Sequence, residues 1–220
     1  MLFFGYEFCM WMMRNEKHTI SRRNLVAFLG VTAVFAASAR TPVLAAAAAV
    51  ERSDTESGPG VQYLHSISGD LFAAARTGSP NSFLRAINRH VDIPTIAQYS
   101  LGNYSSRLAA EHDAGYRRGV AEFMARYFSS QVHLYKVDRA VITGERPYGE
   151  GETLVKSKIY LENGAVHHVH WLLSPRGRSF KVRDLRVAGF WLSYFQKRMF
   201  ERFLASHDGD VIALIAALRI

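Results

Sequence analysis

His167, His168 and His170 are the densest group of chemically capable side chains in this chain of 220 residues. Successive side chains alternate along an extended strand, so His168 and His170 share one face at a spacing that can hold a metal. No third ligand belongs to any recognisable motif, and solvent-facing histidines explain the same spacing more simply. Asp184 is the second candidate: a carboxylate beside a cavity can act as a general base, or it can serve as a structural hydrogen-bond acceptor. Tyr148 and the run Glu150–Glu152 fall in a Gly-rich stretch that reads as a solvated turn. Cys9 is the single cysteine. It lies in the leader described next, so the remainder has no thiolate for a disulfide, a metal site or a nucleophile.

The front of the chain reads as an export leader. Ser21-Arg22-Arg23-Asn24-Leu25 matches the twin-arginine pattern and is followed by fifteen uncharged residues, Leu25 to Ala39. Arg40 precedes Val43-Leu44-Ala45, a small-x-small cleavage site that continues into an alanine run. The apolar stretch is short of the roughly 20 residues that a membrane span needs. Residues 1–47 are therefore assigned to the leader and 48–60, with Gly and Pro among polar residues, to a linker. Residues 61–220 form one domain. The mature protein is expected in the periplasm, beginning between Ala46 and Glu51, and translation is expected to start at Met10, Met12 or Met13. The chain carries a net charge of +8. Removing five basic and two acidic leader residues from 27 and 19 leaves 22 against 17, a net of +5. That balance favours anionic surfaces or acidic proteins. The basic residues are scattered along the sequence rather than gathered in a stripe, which argues against nucleic acid.

The elements that must position these residues follow from periodicity. Two helices are expected between Val61 and His90, broken at Gly78-Ser79-Pro80, where Ser79 and Pro80 suit a cap and a first-turn proline. A short helix through Ile96 and Leu101 ends at Gly102. A long helix is expected over Asp113 to Tyr135, with Tyr116, Val120, Phe123 and Tyr127 on one face. The period then becomes two, giving strands at Val137–Thr143, Thr153–Leu161, Val166–Leu173 and Phe180–Val187. Glu162-Asn163-Gly164-Ala165 is a hairpin turn, because Asn and Gly accept the positive φ it demands. Ser174-Pro175-Arg176-Gly177 reads as a second turn. An aromatic-rich helix from Phe190 to about Leu204 and a short helix from Asp208 close the chain. The fold class is α+β: N-terminal helices, a long helix bracing a curved antiparallel sheet of about four strands, then C-terminal helices. An apolar cavity is expected between sheet and helices.

The order of several short segments resembles the MlaC/toluene-tolerance family. His90-Val91-Asp92-Ile93 through Leu101-Gly102 is similar to its "VD…LG" stretch, and Phe180-Lys181-Val182-Arg183-Asp184 to its "WKVYD" strand. Gly189 and Leu192 resemble the following "GVSL", Phe200 the Phe closing "YRSQF", and Gly209-Asp210 the last turn. The resemblance covers roughly Val61 to Leu218. Trp191 and Gln196-Lys197 depart from the pattern and leave the identity of the lipid open. The resemblance implies a periplasmic phospholipid or hopanoid carrier, with no cofactor, serving an inner-membrane ABC transporter complex and an outer-membrane lipoprotein complex. It also implies a role in outer-membrane lipid maintenance, and the carrier is expected to be monomeric.

Carrying a lipid needs a dry pocket and no covalent chemistry, since burial gains about 0.8 kcal/mol per methylene. The expected lining is Phe123 and Tyr127 on the long helix, Val169 and Trp171 on a strand, and Phe190, Leu192 and Phe195 on the following helix. Leu101 and Tyr104 are placed at the rim, and Lys197 and Arg198 at a lipid phosphate. The pocket is expected between the long helix and the sheet, with the Phe190–Phe200 helix as its gate. The alternative is ordinary core packing at each position. A small periplasmic hydrolase or isomerase acting on a hydrophobic substrate, using Asp184 or His170, is the rival function.

Overall fold

The computed structural model describes residues 57–219, so the leader, its cleavage site and most of the linker lie outside the described residues. The first helix, α1 (Pro59–Thr77), opens with Pro at its first position and stops at Gly78, whose φ of 61° is the left-handed conformation that glycine tolerates. The second, α2 (Pro80–His90), starts on Ser79 and Pro80 as expected, although the Ser79 side chain makes no cap hydrogen bond. Asp92 is buried before α3 (Ile93–Leu101). It accepts from the Thr95 hydroxyl at 2.9 Å and from Arg176 at 3.2 Å, which ties the "VD" segment to the sheet. A 3-10 turn (Gly102–Arg107) leads into the long helix α4 (Ala110–Gln131).

Five strands follow in a meander of order β1-β2-β3-β4-β5: β1 (Val137–Tyr148), β2 (Glu152–Leu161), β3 (Val166–Arg176), β4 (Ser179–Val187) and β5 (Phe190–Trp191). Each neighbouring pair is antiparallel. Register shifts at Val137/Arg139, Ile142/Gly144 and Leu172/Leu173 act as bulges that bend the sheet. Two helices complete the chain, α5 (Leu192–Ala205) and α6 (Val211–Ala217). Asp210 caps α6 by accepting from the Ile212 and Ala213 amides at 2.8 and 3.0 Å. Among the described residues no helix is long and apolar enough to cross a membrane.

The α+β architecture is as the sequence implies, with four differences in its elements. First, β1 runs on past Gly144 and Pro147, because a strand at the sheet edge loses no ladder bond to proline and Gly144 sits at a register shift. Second, β3 continues through Pro175 to Arg176, so the hairpin is the tighter Gly177-Arg178 turn, with Gly177 at φ 58°. Third, Phe190 and Trp191 do not begin the last long helix. Ala188 and Gly189 both take positive φ, 50° and 86°, in a two-residue turn that folds β5 back on β4. Fourth, the long helix is not the element that braces the sheet. Helix α1 covers one face of the sheet, where Val61, Leu64 and Ile67 bury against Val155, Leu173 and Val182. Helix α4 packs with α3, α5 and α6 through Tyr116, Val120, Leu204 and Leu214, and with α2 through Ala121 and Ala125.

The two internal glycines of α1 separate close packing from free surface. A Cβ on Gly60 would lie 2.7 Å from a Glu145 carboxylate oxygen and 2.9 Å from Thr153 Cγ2, whereas a Cβ on Gly69 would meet nothing within 4 Å. In a helix, alanine is favoured over glycine by about 1 kcal/mol. Gly69→Ala is therefore expected to stabilise the protein by about that amount, and Gly60→Ala to destabilise it by about 1–3 kcal/mol through overpacking. Urea unfolding of both variants measures the reversal of sign.

Candidate functional site

Toward the C-terminal half of α1, its packing on the sheet opens into a groove of about 160 Å³. Leu64, Ser68, Leu71, Phe72 and Ala75 line it from the helix, and Val137, Ala140, Ile142, Ser157, Ile159 and Trp171 from the strands. Steps of four, three, one and three place the helix residues in one stripe. Two-residue alternation brings Ser157 and Ile159 to the same face of β2. The polar groups in the wall are occupied within the protein. The Trp171 indole N–H donates to Ser157 Oγ at 2.9 Å, Ser157 Oγ donates to the Val169 carbonyl at 3.3 Å, and Ser68 Oγ donates to the His65 carbonyl at 2.7 Å. An apolar chain laid here therefore strands no donor or acceptor, and binding rests on removing hydrocarbon from water.

A second cleft, of about 390 Å³, lies on the opposite sheet face, between α3, β5 and the start of α5. Its walls mix Ile96, Leu172, Phe190 and Trp191 with Glu152, Arg183 and Asp184. Glu152 is held by an ion pair with Arg183 and by the Ser174 hydroxyl at 3.2 Å. Asp184 accepts from the Leu185 amide at 2.8 Å, the Ser193 amide at 3.1 Å and the Ser193 hydroxyl. It thereby caps the first turn of α5 from a neighbouring strand and has the structural role that its sequence context suggests. Burial pushes its carboxyl above the usual range, while the Ser193 and Leu185 donors pull it back. A raised native pKa means that the folded state holds the proton more tightly than the unfolded chain. The stabilisation is complete below the ordinary carboxylate pKa of about 4 and is lost as pH rises through the raised value. Relative to Asp184→Asn, the wild type should lose stability as pH rises from the ordinary carboxylate pKa of about 4 toward neutrality. Denaturant melts of both proteins across that window measure the change.

The residues that the sequence puts forward fall in several places rather than around one chamber. Trp171 lines the groove, and Val169 is buried two residues along the same strand face. Phe190 lines the second cleft and packs against Phe195 at 5.8 Å, next to Leu192 at the start of α5. Leu101 is 1% exposed in the helical core, where Tyr104 and Phe123 pack, Phe123 edge-on to Phe200 at 5.5 Å. Tyr127 meets Phe128 at 5.7 Å. Lys197 lies 3.8 Å from Glu201 and over the Tyr99 ring at 5.2 Å, and Arg198 lies 3.9 Å from Glu201. The groove is roofed by α1 instead of the long helix. Sequence reasoning missed Leu64, Leu71, Phe72 and Ala75, although Val61, Leu64, Ile67 and Leu71 recur at the three- and four-residue steps that mark a buried face.

The histidine group divides. His168 is exposed, His170 is half-buried, and His167 packs edge-on to Tyr135 at 6.0 Å. Among the described residues, no three His, Cys, Asp or Glu side chains come together as a metal site.

The comparisons with known proteins agree with this architecture. The phospholipid-binding protein from Ralstonia solanacearum, solved in complex with a phospholipid, superposes with a TM-score of 0.61. The two share 17% sequence identity over 76% of this chain and 96% of that one, so the likeness is one of fold. No curated protein matches the chain. A family model described as MlaC protein matches residues 73–220, from the last turn of α1 to the last residue. The chain belongs to the MlaC family.

Proposed function

We propose that the chain is a phospholipid carrier that holds acyl chain in the groove between α1 and the sheet. Membership of the MlaC family gives it a periplasmic lipid-binding role alongside an ABC transport system, and not an enzymatic one. The observation that carries the finer reading is the groove itself, apolar along both walls with its serines and tryptophan already hydrogen-bonded. Val169 and Trp171, of the residues expected from sequence, are assigned to the acyl chain. The related fold from Ralstonia solanacearum was solved holding a phospholipid, which supports phospholipid as the cargo over a hopanoid.

A groove of about 160 Å³ is smaller than the roughly 300 Å³ at which ligand pockets begin. Loading therefore widens it. Helix α1 is pinned at its N-terminal end, where Glu145 accepts from the Val61 amide at 2.5 Å, and the groove lies under its other half. Lifting that half opens the slot without undocking the pinned end. In this reading the carrier domain starts with α1 at Pro59, two residues before the boundary at 61 expected from sequence, residues 1–47 are a twin-arginine leader and the stretch between is a linker. The monomer shuttles between an inner-membrane ABC complex and an outer-membrane lipoprotein complex. Withdrawal of a fluorescent phospholipid from donor vesicles tests the function. Uptake should saturate at one lipid per chain, and failure to withdraw any lipid would refute the reading.

A further inference from the structure

The basic residues are scattered along the sequence, but the antiparallel register lines several of them up. Lys156 stands opposite His170, and His170 opposite Arg186, in a row completed by Gly144 and Trp191. In the adjoining row Val141 stands opposite Lys158, and Lys158 opposite His168. No acidic residue belongs to either row. Lys158 and Arg186 thereby gather positive charge on one sheet face, and an anionic partner complements it. His170 registers that charge. Its Nδ1 is buried without a hydrogen-bond partner. Burial first, then Arg186, Lys156, Arg146 and His168, hold its ring below the usual histidine range.

Apolar and aromatic groups are interleaved with the cations. The Arg186 guanidinium lies over Trp191 at 5.9 Å, and Arg146 over Tyr148 at 5.9 Å, with those two rings 6.0 Å apart. Arg139 lies over Tyr160 at 3.6 Å, with Asp138 at 4.0 Å. Val141 and Val166, on the same face by alternation, are 39% and 43% exposed. Arg146, Lys156, Lys158, His168, His170 and Arg186 line neither the groove nor the second cleft. Such cations do not converge on a small ligand; they are spread over a sheet face. Basic side chains for phosphates, with Trp, Tyr and Val between them at headgroup level, are the composition of a membrane interface.

We propose that this sheet face docks on an anionic bilayer surface, seating the carrier against the membrane while lipid passes. The inference rests on the carrier reading, yet the two fail separately: lipid recovered with the protein tests the carrier, and vesicle binding tests the surface.

Protein recovered from the periplasm is sedimented with vesicles of phosphatidylcholine alone or with about a third phosphatidylglycerol. Binding to the anionic vesicles only is expected, weakening as salt rises. The triple variant Arg146→Gln, Lys158→Gln, Arg186→Gln should bind at least about tenfold more weakly. It should keep its melting temperature, since the three side chains lie outside the buried core, and keep its co-purifying lipid. Lys158→Glu alone should lose severalfold, which preserves the test if the triple variant does not fold. The His170 ring, followed by NMR titration, should take up protons more readily on anionic vesicles. Equal binding to both vesicle types, binding to neither, or undiminished binding by the folded variants would overturn the proposal.

Discussion

Replacing Ala75 with Trp is expected to leave the protein folded and strip it of lipid. Ala75 lies in the α1 stripe that forms one wall of the groove, opposite the strands that carry Ile142, Ile159 and Trp171. An indole placed there occupies most of a space of about 160 Å³. The substitution adds apolar area to an apolar slot and introduces no buried charge. Its cost is the loss of alanine's helix preference, about 0.5 kcal/mol, with any overpacking limited because the groove is open at one side. Lipid, by contrast, loses the space for its chain and with it about 0.8 kcal/mol for each methylene displaced. Half a dozen methylenes are about 5 kcal/mol, enough to reduce affinity by more than a thousandfold. Circular dichroism should show the wild-type fold, and solvent extraction should yield no lipid. A folded Ala75→Trp protein that still carries lipid would place the cargo elsewhere, with the second cleft around Phe190 next in line.

Glu145→Ala is expected to cost about 2–4 kcal/mol and to loosen α1 along its length. Helix α1 begins on Gly58, which has no side chain to cap the first turn. Glu145 supplies the missing acceptor from β1 by reaching the Val61 amide, and its side chain is packed so tightly that a Cβ on Gly58 would lie 2.1 Å from the carboxylate. A charged hydrogen bond to a buried amide contributes about 1.5–3 kcal/mol, and a carboxylate at a helix N-terminus about 0.3–1 kcal/mol more. Removing it also leaves the Val61 N–H without its partner. Glu145→Gln keeps an acceptor and should cost about 1 kcal/mol. Hydrogen exchange of the α1 amides should accelerate in the alanine variant while those of α6 change only through the global loss. Because α1 roofs the groove, lipid retention should fall in step. A loss of less than about 0.5 kcal/mol would mean that the pin is not what holds α1 in place.

Sequence reasoning reached the elements whose signals are local. Gly78 ends one helix, Pro80 starts the next, Gly102 ends a third, and Gly164 at φ 82° turns a hairpin, although Asn163 beside it does not take the positive φ expected of it; in each, the required backbone conformation belongs to the residue itself. The role of Asp184 was also visible, because its place in the strand resembles a family pattern. What escaped depends on partners distant in sequence. Nothing near α1 says that β1 supplies its cap 84 residues later, or that its apolar stripe roofs the sheet. Phe190 and Trp191 carry a helix-like aromatic density, and the turn that makes them a strand rests on Ala188, a residue seldom found at positive φ. From sequence the histidines read as solvent-facing side chains. Their surroundings are instead the cations of neighbouring strands, which pairing register alone brings together.

The central claim is that this chain carries lipid in the groove under α1. Native mass spectrometry of the protein taken from the periplasm, without refolding or detergent, bears on it most directly. The wild type should appear heavier than its polypeptide by the mass of one phospholipid, confirmed by extraction, and Ala75→Trp should appear at the bare mass. A wild-type protein recovered at the bare polypeptide mass, with nothing extractable, would contradict the account.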